Sequence, residues 1–303
     1  MNHNNDHIPP VFHIFGATGL IGSSLTAYCI QTGRPFETYS NSGRYGTKVD
    51  ISSELSVNNI KIPKPNDYII NLAAIAQPAA VYKQQELAKA VNVAGSRNLA
   101  RLAENSGAKY FFMSSVEVFG GNLACANENT PTSPLNEYGR QKELAEKYIL
   151  SEHHGKYVIG RTSWNVSSTN TGRCLVKFMI ESLQKASPKM ATDNIFTIAS
   201  SRETAENIAR AMELDFEGIL HIASPSPISR FEIAELIINT YTNRKLKCSP
   251  CLFADIMFTE KRSRLNILDT SKSIECIGAL YSDPRQIILE KVFELNMHPH
   301  VQT

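Results

Sequence analysis

The chain has 303 residues, 42% of them hydrophobic and 20% charged, enough to bury a sizeable core in one large domain or two unequal ones. Its formal net charge of +2 comes without a long run of one sign, which gives no basis for a nucleic-acid partner or an anionic membrane surface. No apolar stretch approaches the roughly 20 residues of a membrane span, and six cysteines form no disulfide framework, so a cytoplasmic location is expected.

Met1 to Pro10 is polar, lacks a signal peptide's apolar core and is expected to be a disordered tail. Val11 to Phe15 then reads as a buried strand, with His13 packed inside it, and Leu20 to Ile30 reads as a helix. Between them Gly16, Gly19 and Gly22 stand at G-x-x-G-x-x-G spacing in the run Gly16-Ala17-Thr18-Gly19-Leu20-Ile21-Gly22. Gly16 suits the tight turn, Gly19 a close approach of pyrophosphate to the backbone, and Gly22 close packing of helix on strand. Free N–H groups at the helix start then face the phosphates, so the segment predicts a dinucleotide site.

Pro35 to Ser40 is predicted as the second strand and Asp67 to Leu72 as a continuous buried one. Glu86 to Ser106 has helical periodicity through Leu87, Val91, Leu99 and Leu102 and stops at Gly107. Lys109 to Ser114 follows as a strand, Glu137 to Glu152 as a helix and Lys156 to Gly160 as another strand. Strict alternation implies crossover connections, hence an α/β fold with a Rossmann-type doubly wound parallel sheet over residues 11–165. Beyond Trp164 the pattern loosens. Cys174 to Gln184 and Arg230 to Thr240 look helical, and Pro225-Ser-Pro227 marks a break. Residues 166–192 and 223–303 are expected to form a smaller substrate lobe, with 193–222 returning to the dinucleotide domain. Cys248-Ser-Pro-Cys251 has metal-like spacing but no second pair, so no metal site is expected.

Tyr138-Gly-Arg-Gln-Lys142 opens a helix with Tyr and Lys on one face. An ammonium beside a phenol favours the phenolate, which prepares the group for proton exchange with a carbonyl or alcohol. Tyr241-Thr-Asn-Arg-Lys245 has the same spacing and is read as a solvated helix end. The first pair follows a strand that ends Met113-Ser114-Ser115, whose hydroxyls could polarise a carbonyl. At the end of the second strand, Tyr39-Ser40-Asn41-Ser42-Gly43-Arg44 has no carboxylate for a ribose 2′-hydroxyl. Arg44 suits a 2′-phosphate instead, so NADP(H) is expected over NAD(H), with Asn41 nearby as a polar contact.

The order of glycine turn, serine after a later strand and Tyr-x-x-x-Lys resembles the extended branch of the short-chain dehydrogenase/reductase superfamily, which acts on nucleotide sugars. Residues 11–165 carry the likeness, through Gly16 to Gly22, Asp50-Ile51, Asn71-Leu72-Ala73-Ala74, Val91-Asn92, Ser114-Ser115 and Tyr138 to Lys142. Arg161-Thr-Ser-Trp164, Asp193-Asn194, Arg262 and Leu268-Asp269-Thr-Ser-Lys272 are similar to the dTDP-4-dehydrorhamnose reductases within it. The resemblance implies that Ser115 orients a carbonyl oxygen, Tyr138 exchanges the proton, and Lys142 holds the nicotinamide ribose and tunes Tyr138. It implies cofactor contacts at Gly16, Thr18, Gly19, Leu20, Ile21, Gly22, Asn41, Arg44, Asp50, Ile51, Leu72, Ala73, Ala74 and Ser163. Substrate contacts fall at Val116, Glu117, Trp164, Asn165 and Arg262, with Trp164 as a flat wall for the sugar.

Two departures from that family stand out. Its Ser-Thr-Asp-Tyr before Val-Phe is here Ser114-Ser115-Val116-Glu117, and its Val-Asp-Lys-x-Glu run corresponds to Ala79-Ala80-Val81-Tyr82-Lys83, without the charges. Glu117 is thus open between a replacement polar contact, an additional acid and a rim carboxylate. The activity implied is NADPH-dependent reduction of a nucleotide-linked 4-keto-6-deoxyhexose. The alternatives are an NDP-sugar 4-epimerase with tightly held NAD, or an NADP-binding regulatory subunit like the beta subunit of methionine adenosyltransferase. A homodimer is compatible with the branch.

Overall fold

The computed structural model describes residues 9–61, 63–121, 123–167, 174–185, 188–242 and 246–297, so most of the expected N-terminal tail lies outside the described residues. The first half runs β1 (Phe12–Phe15), α1 (Leu20–Thr32), β2 (Phe36–Ser40), β3 (Thr47–Lys48), α2 (Glu54–Asn58), β4 (Tyr68–Asn71), α3 (Pro78–Lys83) and α4 (Gln85–Lys89). A π-helical segment (Ala90–Gly95) leads into α5 (Ser96–Ser106), then β5 (Lys109–Ser115), a 3-10 turn (Val116–Val118), α6 (Glu137–Glu152) and β6 (Tyr157–Thr162). The second half runs β7 (Trp164–Val166), α7 (Leu175–Lys185), β8 (Lys189–Ala191), β9 (Ile195–Phe196), β10 (Ile198–Ser200), α8 (Ser201–Glu213) and β11 (Gly218–Ile222). It ends with β12 (Ile228–Ser229), α9 (Arg230–Thr240), β13 (Ser249–Cys251), β14 (Leu265–Asn266), α10 (Ser271–Ile277) and α11 (Pro284–Met297).

Seven strands form one parallel sheet in the order β11-β6-β5-β4-β1-β2-β3. Its central strands β1, β4, β5 and β6 are buried on both faces, which is why they read as apolar runs rather than alternating ones, whereas β3 at the edge is exposed. Phe12, Ile14, Ile70, Phe111 and Val158 pack with Leu25 of α1 and Ile208 and Met212 of α8 on one face. Phe15, Ile69, Phe112 and Ile159 pack with Leu99 of α5 and Ile149 of α6 on the other. This is the doubly wound arrangement expected from the alternation. His13 is packed as predicted, bonded at 3.0 Å to the Tyr39 hydroxyl and at 3.2 Å to Asp67. Among the described residues no helix is long and apolar enough to cross a membrane.

Three expectations differ. The helix predicted over Glu86 to Ser106 is broken by the π-helical segment, because Asn92 turns inward instead of outward. Its Oδ1 accepts from the Ile75 amide at 2.9 Å, and its Nδ2 donates to the Ile75 carbonyl at 3.1 Å and to Gln141 Oε1 at 2.9 Å. The return to the dinucleotide domain starts at 201 rather than 193. Here α8 packs on α1, and β11 extends the sheet, whereas β9 pairs with β12 and β14 outside it. A later piece returns as well: Ile277, Ala279 and Tyr281 pack in the core beneath the sheet, and Lys272 Nζ donates to the Ile219 carbonyl of β11 at 2.9 Å. Finally, Tyr241 is 5% exposed in the core of the smaller lobe, with Ile237 and Leu246, and is not a solvated residue; Lys245 lies outside the described residues.

Candidate active site

The glycine turn lies at the carboxyl end of β1, where the strand order reverses. Gly16 has φ +84°, and a Cβ there would stand 2.6 Å from the Ala73 amide nitrogen. A Cβ on Gly22 would stand 2.2 Å from the Gly16 carbonyl oxygen, so only glycine lets α1 approach the strand this closely. A Cβ on Gly19 would touch only the Gly16 oxygen, at 3.2 Å. The first turn of α1 carries no acidic residue and no side-chain cap, which leaves its leading amides as donors to an anion. This cradle fits the pyrophosphate of a dinucleotide.

Two cavities adjoin it. One of about 350 Å³ is lined by Gly19, Leu20, Ile21, Gly22, Leu72, Ala74, Ser115, Val116, Glu117, Tyr138, Lys142, Ser163, Trp164, Asn165 and Arg262, among others. Most of the predicted site residues are thus brought together. The second, of about 280 Å³, lies between the ends of β1 and β2 and is lined by Gly16, Asn41, Asp50, Ile51 and Ala74. Thr18, Ala73 and Arg44 line neither cavity. Arg44 is exposed, its guanidinium 4.8 Å from the centroid of the Tyr45 ring, and it pairs with no carboxylate among the described residues. The side chain of Asp50 accepts from the amide and hydroxyl of Ser52, at 3.0 and 2.6 Å.

Ser115 ends β5, and its Oγ caps the following turn by accepting from the Glu117 amide at 3.2 Å. Asn136 caps α6, its Oδ1 accepting from the Gly139 amide at 2.9 Å, and so places Tyr138 in the first turn. Burial and the nearby Glu117 carboxylate push the Tyr138 phenol above its usual range, opposed by hydrogen bonding from Ser115. The depression by Lys142 expected from the spacing is therefore not found. Lys142 Nζ donates instead to the Met113 carbonyl at 2.8 Å and lies 6.0 Å from the Tyr138 ring centroid. Burial pulls the Lys142 ammonium down to about 7, against the opposing pull of Glu146.

Beneath the three side chains lies a buried ion pair that sequence reasoning missed. Arg161 donates to Glu146 through Nε at 3.0 Å and Nη2 at 2.6 Å, and the Ser114 hydroxyl also donates to Glu146. The pair ties β5, α6 and β6 together at the level of the site. Arg161 is visible in the Arg-Thr-Ser-Trp motif, but its partner is not, because Glu146 looks like any helical glutamate.

A third, small cavity of about 30 Å³ opens beyond Glu117, Trp164 and Arg262, which it shares with the first. Arg230 lines it, donating from Nε to Asn194 Oδ1 at 2.9 Å; burial and the Arg262 charge draw Arg230 down to about 10. Arg262 pairs with Glu260, yet its Nε, the Ser263 hydroxyl and Asn266 Oδ1 are buried without a hydrogen-bond partner among the described residues. Two guanidiniums thus line this space with Trp164, Phe196, Phe253 and Phe258, although at about 30 Å³ it has room for little more than a water or two. Arg230 gave no signal in the sequence. Asn165 lines the large cavity, but its amide is engaged by Thr162, Ser163 and Thr204.

A glycine cradle at the carboxyl ends of parallel strands, in a sheet wound on both faces, defines a Rossmann-type fold of the dehydrogenase/reductase kind. Within that class, the chain belongs to the RmlD substrate binding domain family, which it matches over residues 12–292. It is 28% identical over 232 residues to the dTDP-4-dehydrorhamnose reductase of Mycobacterium tuberculosis, covering 74% of this chain and 73% of the relative. It is 25% identical over 286 residues to the methionine adenosyltransferase 2 subunit beta of Mus musculus, covering 88% and 81%. Among solved structures, the dTDP-4-dehydrorhamnose reductase of Bacillus anthracis in complex with NADP superposes with a TM-score of 0.82 at 24% identity, over 95% of this chain and 99% of that one.

Proposed function

We propose that the protein is an NADPH-dependent reductase of a nucleotide-linked 4-keto-6-deoxyhexose. The observation that carries this reading is the lining of one cavity by Gly19 to Gly22, Ser115, Tyr138 and Lys142, with the two-arginine pocket opening beyond Glu117, Trp164 and Arg262. The names of the M. tuberculosis and B. anthracis relatives point to the same substrate class.

The cradle amides and Gly16 to Gly22 hold the pyrophosphate, Asp50 and Ile51 the adenosine end, and Arg44 the 2′-phosphate. The cofactor, when bound, supplies the hydride. Arg262, on the wall of the catalytic cavity, meets the nucleotide's diphosphate, and Trp164 stands against the sugar. Ser115 donates a hydrogen bond to the carbonyl oxygen. The Tyr138 O–H breaks as a new O–H forms on that oxygen, leaving a phenolate one helical turn from Lys142. Burial and Glu117 raise the pKa of the phenol, so these residues hold it protonated but do not ease the release of its proton.

The test is NADPH oxidation measured with dTDP-, UDP- and GDP-linked 4-keto-6-deoxyhexoses. Stoichiometric consumption with one of them is expected, and Tyr138→Phe should lose roughly 10²–10⁴-fold in turnover while still binding NADPH. Full turnover by the Phe variant would sink the mechanism. Firmly bound NAD with no net redox change would instead indicate the epimerase.

A further inference from the structure

Glu117 occupies the position at which the chain departs from the dTDP-4-dehydrorhamnose reductase pattern, and the structure fixes it firmly. Its amide donates to Ser115 Oγ at 3.2 Å. Its carbonyl is packed under the first turn of α6, where a Cβ on Gly139 would come within 2.1 Å of the oxygen. Its Oε2 accepts from Asn136 Nδ2 at 2.7 Å. The residues that fix the start of α6, and so Tyr138, therefore also fix this carboxylate. Its other oxygen, Oε1, has no hydrogen-bond partner among the described residues. Glu117 is also one of the three side chains shared by the catalytic cavity and the two-arginine cavity.

A 4-keto-6-deoxyhexose has two unlike edges. From the carbonyl carbon one edge runs through two hydroxylated carbons to the nucleotide, and the other runs through a methyl-bearing carbon to the ring oxygen. A fixed carboxylate oxygen in the cavity that holds both Arg262 and the carbonyl-reducing trio complements the hydroxylated edge. Burial pushes the Glu117 carboxyl above its ordinary range, opposed by the Asn136 hydrogen bond and the Arg262 charge. Once ionised it only accepts hydrogen bonds, so a partner without a donor leaves it desolvated and unpaired. Resting on the reductase reading above, we infer that Glu117 determines specificity by accepting a hydrogen bond from the hydroxyl on the carbon next to the carbonyl. Sugars carrying that hydroxyl are taken and those lacking it are rejected. Val116, the neighbouring residue of the turn, offers no polar group for the task.

The informative variant is Glu117→Gln. Asn136 Nδ2 is a donor, so the glutamine's carbonyl oxygen must turn toward it, and its NH₂ then faces the sugar. Shape and tether are kept, while the acceptor becomes a donor. Calorimetric titration in the presence of NADP would compare a dTDP-6-deoxyhexose with its 3-deoxy counterpart, so that turnover is not needed. The wild type should prefer the 3-hydroxylated ligand by about 10-fold or more, and E117Q should bring the two within about twofold. Glu117→Asp keeps an acceptor and should retain part of the preference, whereas loss of a merely structural role would weaken both ligands alike. An unchanged preference in E117Q, or no preference in the wild type, overturns the assignment. Binding of neither dTDP-sugar, nor of UDP- and GDP-linked forms, would overturn the nucleotide-sugar reading and this inference with it. Selective binding without NADPH oxidation would remove the reductase activity alone.

Discussion

Among the described residues, Lys142 Nζ donates to a single backbone carbonyl, that of Met113, and the centroid of the Phe112 ring lies 4.6 Å from its ammonium. Burial draws it from 10.5 to about 7, so between those two values the unfolded chain holds a proton that the folded chain has released. Stability in that window therefore rises with pH, and below about pH 7 the folded state bears the cost of the buried charge. Urea unfolding at pH 7 and pH 9 should show this gain in the wild type and a smaller one in Lys142→Met; equal slopes would contradict it. The Tyr–Lys spacing was legible in the sequence, but the electrostatics were not. Spacing on a helix places two side chains on one face, whereas Met113, Phe112 and Glu117, which set these charges, come from another strand and its turn. Arg230 shows the same limit: a lone arginine at a helix start acquires meaning only when Arg262, more than thirty residues away in the chain, closes the same pocket.

At the scale of elements, the helices α6 and α9 match their predicted bounds because each begins at a capping residue, Asn136 or Ser229, that the sequence displays. The helix predicted over Glu86 to Ser106 does not, since the side chain that breaks it bonds to Ile75 and Gln141, both distant in the chain. The glycine turn gives a sharp comparison. Gly22→Ala forces α1 away from the Gly16 carbonyl and should cost about 1–3 kcal/mol along with most of the NADPH affinity. Gly33→Ala meets no atom within 4 Å, and its φ of +67° should cost only about 1 kcal/mol and leave cofactor binding intact. Denaturation and NADPH titration of the two variants check both expectations. The Glu146–Arg161 pair invites another comparison. Glu146→Gln leaves a buried guanidinium without its anion and should destabilise by about 3–5 kcal/mol, whereas Glu146→Leu with Arg161→Met should be far milder. Equal losses in the two proteins would show that packing, not charge, holds the three elements together.

Across the whole molecule, the doubly wound sheet was readable from alternation, because its central strands announce themselves by apolar runs; the edge strands β3 and β11 were not read as strands. The smaller lobe was less so, as its short strands pair only two or three residues at a time. On the reductase reading proposed above, Arg44, just beyond the end of β2, is the residue that would meet a 2′-phosphate. Replacing Arg44 with Ser should lower affinity for NADPH relative to NADH by roughly 10–100-fold, from the loss of charge-assisted bonds to a 2′-phosphate. Unchanged relative affinities would remove Arg44 from that role. The path of the chain has a consequence for how such a protein can change its substrate. Residues 201–222 and 271–281 fold against the sheet, so the elements that surround Arg230 and Arg262 are contributed by separate stretches threaded between sheet-packing ones. No single cut-and-paste exchange can transplant this lobe from one relative to another without also cutting into the nucleotide-binding half. New preferences must instead arise by replacing individual side chains in place, on a frame whose seams are already sewn shut.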